Sequence, residues 1–356
     1  VLISVGLLTA TGVFLWFFKE NWSEGFNRAL ALIVVACPCA LAFGTPLTFG
    51  FALKKAREQG ILLKEGSVFE RLLKVRRVVL DKTGTFTSGD LKVIATWPSP
   101  LPQRAKEIFL GLEAQSNHPI AFALRKAWPE TTAAPVLITE EVPGQGPRGH
   151  LDGEVFSIRR AADEKQSLEI SLYSGEREVA RVKLDDEVPN NNKEALRLLR
   201  KKEKLEVILA SGDRKERVLA LAREIAIDRA YGELTPLEKN QIVQEENPCL
   251  MIGDGANDAL ALKNAFVGVA VRGSVDMSLQ SADAYLLKPG LSPVLTLLAL
   301  ARRVKRTLVA NLGFAFVYNL VAGTAAIFGM VDPLVAAVLM PVASVVIALN
   351  TWWSLR

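Results

Sequence analysis

Four long stretches of this chain carry no charge, and no other feature constrains its fold as strongly. Residues 1–18 and 29–53 lie at the front, residues 307–331 and 333–355 at the back, and a polar segment from Lys54 to Arg306 separates the pairs. A helix crosses the hydrocarbon of a bilayer in about 20 apolar residues. Four transmembrane helices are therefore expected, with a lipid bilayer as partner. The first run has no basic leader and no cleavage pattern, so it does not read as a signal peptide. Lys54, Lys55 and Arg57 follow the second run, and Arg302, Arg303, Lys305 and Arg306 precede the third. Basic flanks stay inside, so the central segment is expected on the cytoplasmic side. The net charge of +5 (43 − 38) is then mostly topological and calls for no nucleic acid. With 25 Gly, 17 Pro and 3 Cys in 356 residues, collagen-like, disordered and disulfide-scaffold classes are excluded.

The central segment reads as α/β. Short apolar strands at 76–80, 207–209 and 249–252 each run into an acidic, glycine-rich motif, and helical patterns at 191–202, 214–225, 236–245 and 258–265 alternate with them. Such alternation implies a parallel sheet covered by helices, with the ligand at the carboxyl ends of the strands. The three motifs are expected to converge there. Residues of roughly 90–180 interrupt the pattern with one helix around His118-Pro119 and short strands separated by Gly and Pro, as an inserted α+β domain would.

The strand-end residues suit phosphorus chemistry. A carboxylate such as Asp81, before Lys82-Thr83-Gly84-Thr85, can form an acyl phosphate and split phosphoryl transfer into two easier steps. The transferred group needs cations and N–H donors around it. Asp254 and Asp258 offer oxygen ligands for Mg²⁺, Lys239 offers a point charge, and Ser211 and Gly212 offer a hydroxyl and an unhindered N–H.

In that order, Asp81 to Thr85, Ser211-Gly212-Asp213, Thr235-Pro236 with Lys239, and Gly253 to Asp258 resemble the motifs of P-type ATPases, whose phosphorylation domain has the haloacid-dehalogenase-like fold. The resemblance covers nearly the whole chain. It implies a phosphorylation domain at 58–90 and 181–290, a nucleotide-binding domain at 91–180, two transmembrane helices at 1–57 and two more at 291–356. It implies catalytic roles for Asp81, Lys82, Thr83, Ser211, Gly212, Asp213, Lys239 and Asn257, and a Mg²⁺ site at Asp81, Thr83, Asp254 and Asp258. His118-Pro119 resembles the nucleotide signature of the heavy-metal branch, with Gly144 and Gly146 as the loop that meets ATP and Glu113 as a further contact. The motif before the 191–202 helix departs: Asp185-Asp186-Glu187-Val188-Pro189 keeps the acid and the Pro but holds no Arg.

Cys37-Pro38-Cys39 lies inside the second apolar run. Proline there frees carbonyls, and two thiols flanking the break can face one cavity. Thiolates and thioethers select Cu(I), with Zn²⁺ and Cd²⁺ as competitors. Asn311, Tyr318 and Asn319 in the third run, with Met340 and Ser344 in the fourth, complete a set similar to the Cu(I) subgroup, although Ala343 stands at a position usually Ser. ATP-driven Cu(I) transport from the cytosol across a bacterial plasma membrane is what the resemblance implies. Copper export and copper loading of respiratory oxidases both fit. The sequence contains no Thr-Gly-Glu, the mark of the actuator domain. It reads as a C-terminal half whose partners are an N-terminal half with that domain and a cytosolic copper chaperone. The rivals are a membrane-tethered phosphatase of the same fold, a non-catalytic copper-binding membrane protein and a Zn²⁺/Cd²⁺ pump. Phosphatases carry a second Asp two residues after the nucleophile, and here that residue is Thr83.

Overall fold

The computed structural model describes residues 2–17, 21–36, 39–87, 91–142, 146–160, 168–186, 188–254, 258–271 and 281–356. The contacts divide the chain into two compact units, Val1–Lys74 with Thr296–Arg356, and Val75–Leu295.

The first unit opens with α1 (Leu2–Phe17), α2 (Trp22–Val35) and α3 (Cys39–Glu58), followed by the short strand β1 (Ile61–Leu63) and α4 (Ser67–Leu72). The 29–53 run, expected as one span, is thus shared by two helices. Asn21 caps α2 by accepting the Glu24 N–H, and α2 ends where the Ala36 N–H reaches Leu32 O. Pro38, which lies outside the described residues, is the sequence feature between the two helices: a proline lacks an N–H and disfavours helical backbone at the residue before it. Uninterrupted apolarity hid this interruption, and α3 runs on to Glu58 with Lys55 and Arg57 in its last turn.

The second unit begins with β2 (Arg77–Leu80), which delivers Asp81 and then a tight turn at Lys82–Phe86. The chain then leaves for a separate lobe built from β3 (Leu91–Trp97), α5 (Gln103–Leu112), α6 (Pro119–Ala127), β4 (Leu137–Val142), β5 (Gly146–Leu151), β6 (Glu154–Arg160), β7 (Leu168–Ser174) and β8 (Arg177–Asp186). Its six strands form an antiparallel sheet in the order β3-β8-β7-β6-β5-β4. Alternation sets the buried face: Ala180, Val182 and Leu184 of β8 and Ile170 and Leu172 of β7 meet Phe109, Leu112 and Leu124 of the helices. Each large apolar side chain buried here contributes about 1.5–3 kcal/mol. Two points differ from the sequence reading. The lobe holds two helices, because 103–112 carries its own amphipathic stripe, and its last strand runs to Asp186 rather than ending near 180.

The chain returns through α7 (Asn190–Lys201), β9 (Glu206–Ala210), α8 (Lys215–Glu224), β10 (Arg229–Tyr231), α9 (Pro236–Glu245), β11 (Cys249–Gly253), α10 (Ala259–Asn264), β12 (Val267–Ala270) and β13 (Ala284–Leu286). Strands of this unit run parallel in the order β13-β12-β11-β2-β9-β10. β2, β9 and β11 are adjacent, so their carboxyl ends present Asp81, Ser211 and Asp254 side by side. Both faces of β11 are buried, as its unbroken apolar run requires.

Two helices close the first unit, α11 (Ser292–Ile327) and α12 (Pro333–Leu355). These two are long and apolar enough to cross a membrane. Leu312, Phe316, Leu320, Val338, Val342 and Leu349 stand exposed on them, as lipid-facing residues do. The third span was expected from 307, yet α11 starts at Ser292. Arg302 to Arg306 end the apolar run but are good helix formers, so the helix passes through them.

Candidate functional site

Asp81 leaves β2 in extended conformation, with its N–H donated to Ile252 O of β11. The next turn is held open by Gly84, whose φ of +68 suits glycine. A Cβ at Gly84 would lie 1.9 Å from Asp254 Oδ2, and one at Gly253 would lie 2.4 Å from Asp258 Oδ2. Both glycines let carboxylates approach the backbone. Asp81, Asp254 and Asp258 each place an oxygen within 4.8 Å of the others'. Lys239 lies between two of them, its Nζ 2.6 Å from Asp81 Oδ1 and 2.6 Å from Asp258 Oδ1. It projects from the first turn of α9, which a capping box of Thr235 and Glu238 fixes. Lys82, the neighbour of the nucleophile, is ion-paired with Asp213. Ser211 is buried and its Oγ accepts the Asp213 N–H at 3.1 Å.

The electrostatics follow from burial. Burial, then the Asp258 charge, push the Asp81 carboxyl up to about 7 against the pull of Lys239. Burial and Asp258 likewise push Asp254 up to about 6. Asp213 goes the other way: burial would raise it, but the Lys82 ammonium, the Arg214 N–H and Arg217 together hold it below its usual range. Burial opposes the charge on Lys239, and Asp81 and Asp258 outweigh it, so the ammonium is held more firmly than usual.

Three carboxylate oxygens this close, with one ammonium between them, fit a hard divalent cation such as Mg²⁺. Asp81, Asp254 and Asp258 are the residues that would hold it. Protons compete with that cation wherever a carboxyl is raised. Both raised groups carry protons at pH 5.5 and release them by pH 8, so affinity grows as pH rises through 6 to 7. Calorimetric Mg²⁺ titration of the chain should give a Kd at least about tenfold weaker at pH 6 than at pH 8. A flat profile would contradict the site.

Asp81, Lys82, Thr83, Ser211, Gly212, Asp213, Lys239, Asp254 and Asp258 all line one cleft of about 1120 Å³, whose far wall includes Ile94 and Pro119 of the antiparallel lobe. Asn257 and Gly144 fall outside the described residues. Glu113, the further nucleotide contact that the resemblance implies, is buried just after α5. His118 is exposed and caps α6, its Nδ1 accepting the Ile120 N–H at 3.3 Å, while Arg125 donates to the Glu113, Ala114 and Ser116 carbonyls and fixes the turn between α5 and α6. Gly146 starts β5 at φ +79, where a Cβ would meet Ile158 O at 2.4 Å. Sequence reasoning missed Asn192. This buried amide donates to Phe86 O at 2.7 Å and accepts from the Leu291 N–H at 2.9 Å, pinning the far end of the Asp81 turn. An Asn on a helix face gives no sequence signal for such a role.

In the first unit, Cys37 lies outside the described residues and Cys39 heads α3. Tyr318 packs with Val35, Ala322 and Ala336 beside the end of α2, and its buried hydroxyl has no hydrogen-bond partner among the described residues. Asn319 and Met340 are half-buried, and Ser344 Oγ donates back to Met340 O at 3.2 Å. Asn311 is held in a buried network: it accepts from Asn350 Nδ2 at 2.7 Å and donates to Thr351 Oγ1 at 2.9 Å, and Thr351 lies 3.4 Å from Thr48 on α3.

Residues 75–265 match the haloacid dehalogenase-like hydrolase family. The nitrogen fixation protein FixI of Rhizobium leguminosarum bv. viciae is 33% identical over 97% of this chain and 47% of its own length. The copper-exporting P-type ATPase B of Enterococcus hirae is 30% identical over 94% of this chain and 49% of its own. A zinc-transporting PIB-type ATPase in its E2·Pi state superposes on all of this chain and 63% of its own, with a TM-score of 0.87 and 26% identity. The chain belongs to the haloacid dehalogenase-like hydrolases, in their heavy-metal P-type ATPase branch. It spans about half the length of these curated relatives. As a heavy-metal P-type ATPase chain it is an integral membrane protein with its phosphorylation and nucleotide-side lobes in the cytoplasm. Its cleft is the meeting place of those two lobes.

Proposed function

We propose that this chain is the phosphorylation, nucleotide-binding and cargo-binding part of an ATP-driven soft-metal pump, with Cu(I) as cargo. The observation that carries the catalytic half is Lys239 held between Asp81 and Asp258 at the carboxyl ends of adjacent strands. The ionised Asp81 oxygen attacks the terminal phosphorus of ATP. A P–O bond forms, the bond to ADP breaks, and ADP leaves with the electron pair. Lys239 and Lys82 balance the charge that gathers around the acyl phosphate. Bound Mg²⁺ supplies further neutralisation of the phosphoryl oxygens. Ser211 and Gly212 line the same cleft. His118, Pro119, Glu113 and the glycine loop around Gly144 and Gly146 shape the adenine side. Thr83 in place of a second acid favours a long-lived acyl phosphate over the phosphatase reading.

The cargo argument rests on soft ligands. Cys37 and Cys39 flank Pro38 in the sequence, and Met340 offers a thioether on α12. From Thr307 to Leu355 the sequence holds one charged residue, Asp332, and its carboxylate caps α12 by accepting the Val335 N–H at 2.8 Å. Between Thr307 and Leu355 there is therefore no lysine, and no carboxylate other than the capping Asp332, to partner Zn²⁺. Tyr318, whose hydroxyl has no partner among the described residues, and Asn319 and Ser344 orient the ligands, while the Asn311 network fixes α3, α11 and α12 together. An upstream half with an actuator domain and a cytosolic copper chaperone complete the proposed system.

The test is phosphoenzyme formation from labelled ATP by the full-length protein in reconstituted membranes, under reducing conditions, with Cu⁺, Ag⁺ or Zn²⁺. Cu⁺ and Ag⁺ should stimulate an acid-stable, hydroxylamine-sensitive label, and Cys37→Ser with Cys39→Ser should remove the stimulation. Stimulation by Zn²⁺ alone would overturn the cargo assignment.

A further inference from the structure

A second groove, of about 900 Å³, lies on the second unit. One wall is α7, and the other is the end of α8 with the start of β10. Lys193, Leu196, Arg197, Arg200 and Lys201 line it from one face of α7, spaced three, four, seven and eight along the helix. Leu196, Leu205 and Val207 are buried and close the floor, so the charged side chains form the rim. Basic residues suit the last turn of a helix, which accounts for Arg200 and Lys201. That reason does not extend to Lys193 near the start of α7 or to Arg197 at its middle.

The groove does not balance its own charge. Six cations line it, Lys193, Arg197, Arg200, Lys201, Lys204 and Arg229, against three carboxylates. Each carboxylate already has a partner: Glu224 takes Lys193 at 2.7 Å, Glu206 takes Arg229 at 3.1 Å, and Asp228 lies 3.9 Å from Arg200. The Arg197 side chain is 63% exposed and lies 3.7 Å from Glu194 on its own helix, longer than a hydrogen bond. Lys201 and Lys204 are exposed and pair with no described residue. Lys204 is also held at φ +57, and Ala226 on the other wall at φ +55. Both follow a helix end in a left-handed turn that glycine takes more cheaply. An unpaired lysine kept in that conformation on a basic rim points to a ligand for its ammonium.

We propose that this groove binds a polyanion with two or more phosphate groups, held by Arg197, Lys201 and Lys204 together. A guanidinium fork matches two phosphate oxygens, and the ammonium groups add point charges along the rim. The cavity has the size of a small-molecule site. Lys193 and Glu224 line both this groove and the phosphorylation cleft, so the occupant adjoins the catalytic residues' own cavity. The anion has two sources, a soluble polyphosphate or the headgroup of a phospholipid with two phosphates. The test acetylates the amines of the full-length protein, reconstituted in phosphatidylcholine membranes, and reads each lysine by mass spectrometry. Saturating inorganic tripolyphosphate, or cardiolipin included in the membrane, should slow the reaction of both Lys201 and Lys204 by at least about fivefold. Lys263, an exposed lysine outside the groove, should react as before. Protection by tripolyphosphate alone identifies a soluble ligand, and protection by cardiolipin alone identifies a headgroup; either upholds the site. Arg197→Gln should leave Tm unchanged and remove most of the protection at both lysines, because one anion bridges the three cations. The proposal is overturned if neither probe protects, if Lys263 is protected equally, or if protection survives Arg197→Gln at full strength.

Discussion

Asp81→Asn should remove the phosphoenzyme altogether while making the metal-free chain more stable. Loss of function follows from chemistry: an amide oxygen is no nucleophile toward phosphorus, and no other described carboxylate occupies the end of β2. The gain in stability follows from the burial of Asp81, which is 5% exposed with Asp258 and Asp254 at hand. These push its carboxyl up to about 7, so the folded state holds a proton that the unfolded state releases near pH 4. Stability from this group is full below pH 4 and lost as pH rises through 7. Asn carries no charge and escapes that loss. Thermal melts without Mg²⁺ should therefore show a higher Tm for Asp81→Asn at pH 8 and a smaller difference at pH 5. A variant less stable at pH 8 would mean that the Lys239 contact outweighs the repulsion, and a variant that still takes up phosphate would remove Asp81 from its role.

This opposition explains the arrangement of the site. Three acids are gathered where each disfavours the others' charge, and Gly84 and Gly253 are the positions that let them in. A chain selected for stability alone would not keep them there. The strain is part of what lets the cluster accept a divalent cation and a phosphoryl group.

The catalytic strand ends were legible because their signals are local. An apolar run of four or five residues, an acid and a glycine appear together in sequence, and adjacent parallel strands then bring Asp81, Ser211 and Asp254 together without further information. The helix at 236–245 was legible for the same reason, since Thr235, Pro236 and Glu238 announce its start. What was hidden depends on distance along the chain. Asn192 reaches Phe86, 106 positions away. The α2–α3 break was half legible: Pro38 marked it, but apolarity continues across it and suggested one span. Glu113 was legible only in part: its place in a motif suggests a nucleotide contact, while its burial just after α5 shows only in the structure.

Lys239→Ala should produce the largest combined loss of stability and activity. Lys239 is 4% exposed and its ammonium serves two carboxylates at 2.6 Å each. Removing one partner of a buried ion pair typically costs about 3–5 kcal/mol, because the remaining charge stays buried without compensation. Here two charges are left, with Asp254 beside them. Some of the cost is relieved by proton uptake, so the destabilisation should grow as pH rises from 6 to 8. Phosphoenzyme formation from ATP should fall at least about a hundredfold, the usual effect of removing a charge donor at a developing anion. Mg²⁺ provides the decisive comparison. A divalent cation binds uncompensated carboxylates more tightly, so the Tm of Lys239→Ala should recover with Mg²⁺ by more than the wild type gains, while phosphorylation does not recover. Lys239→Arg keeps the charge but is larger and planar, and should restore stability better than activity. If Lys239→Ala melts with the wild type and keeps its label, then Asp81 and Asp258 do not depend on this ammonium, and the site must balance its charge in another way.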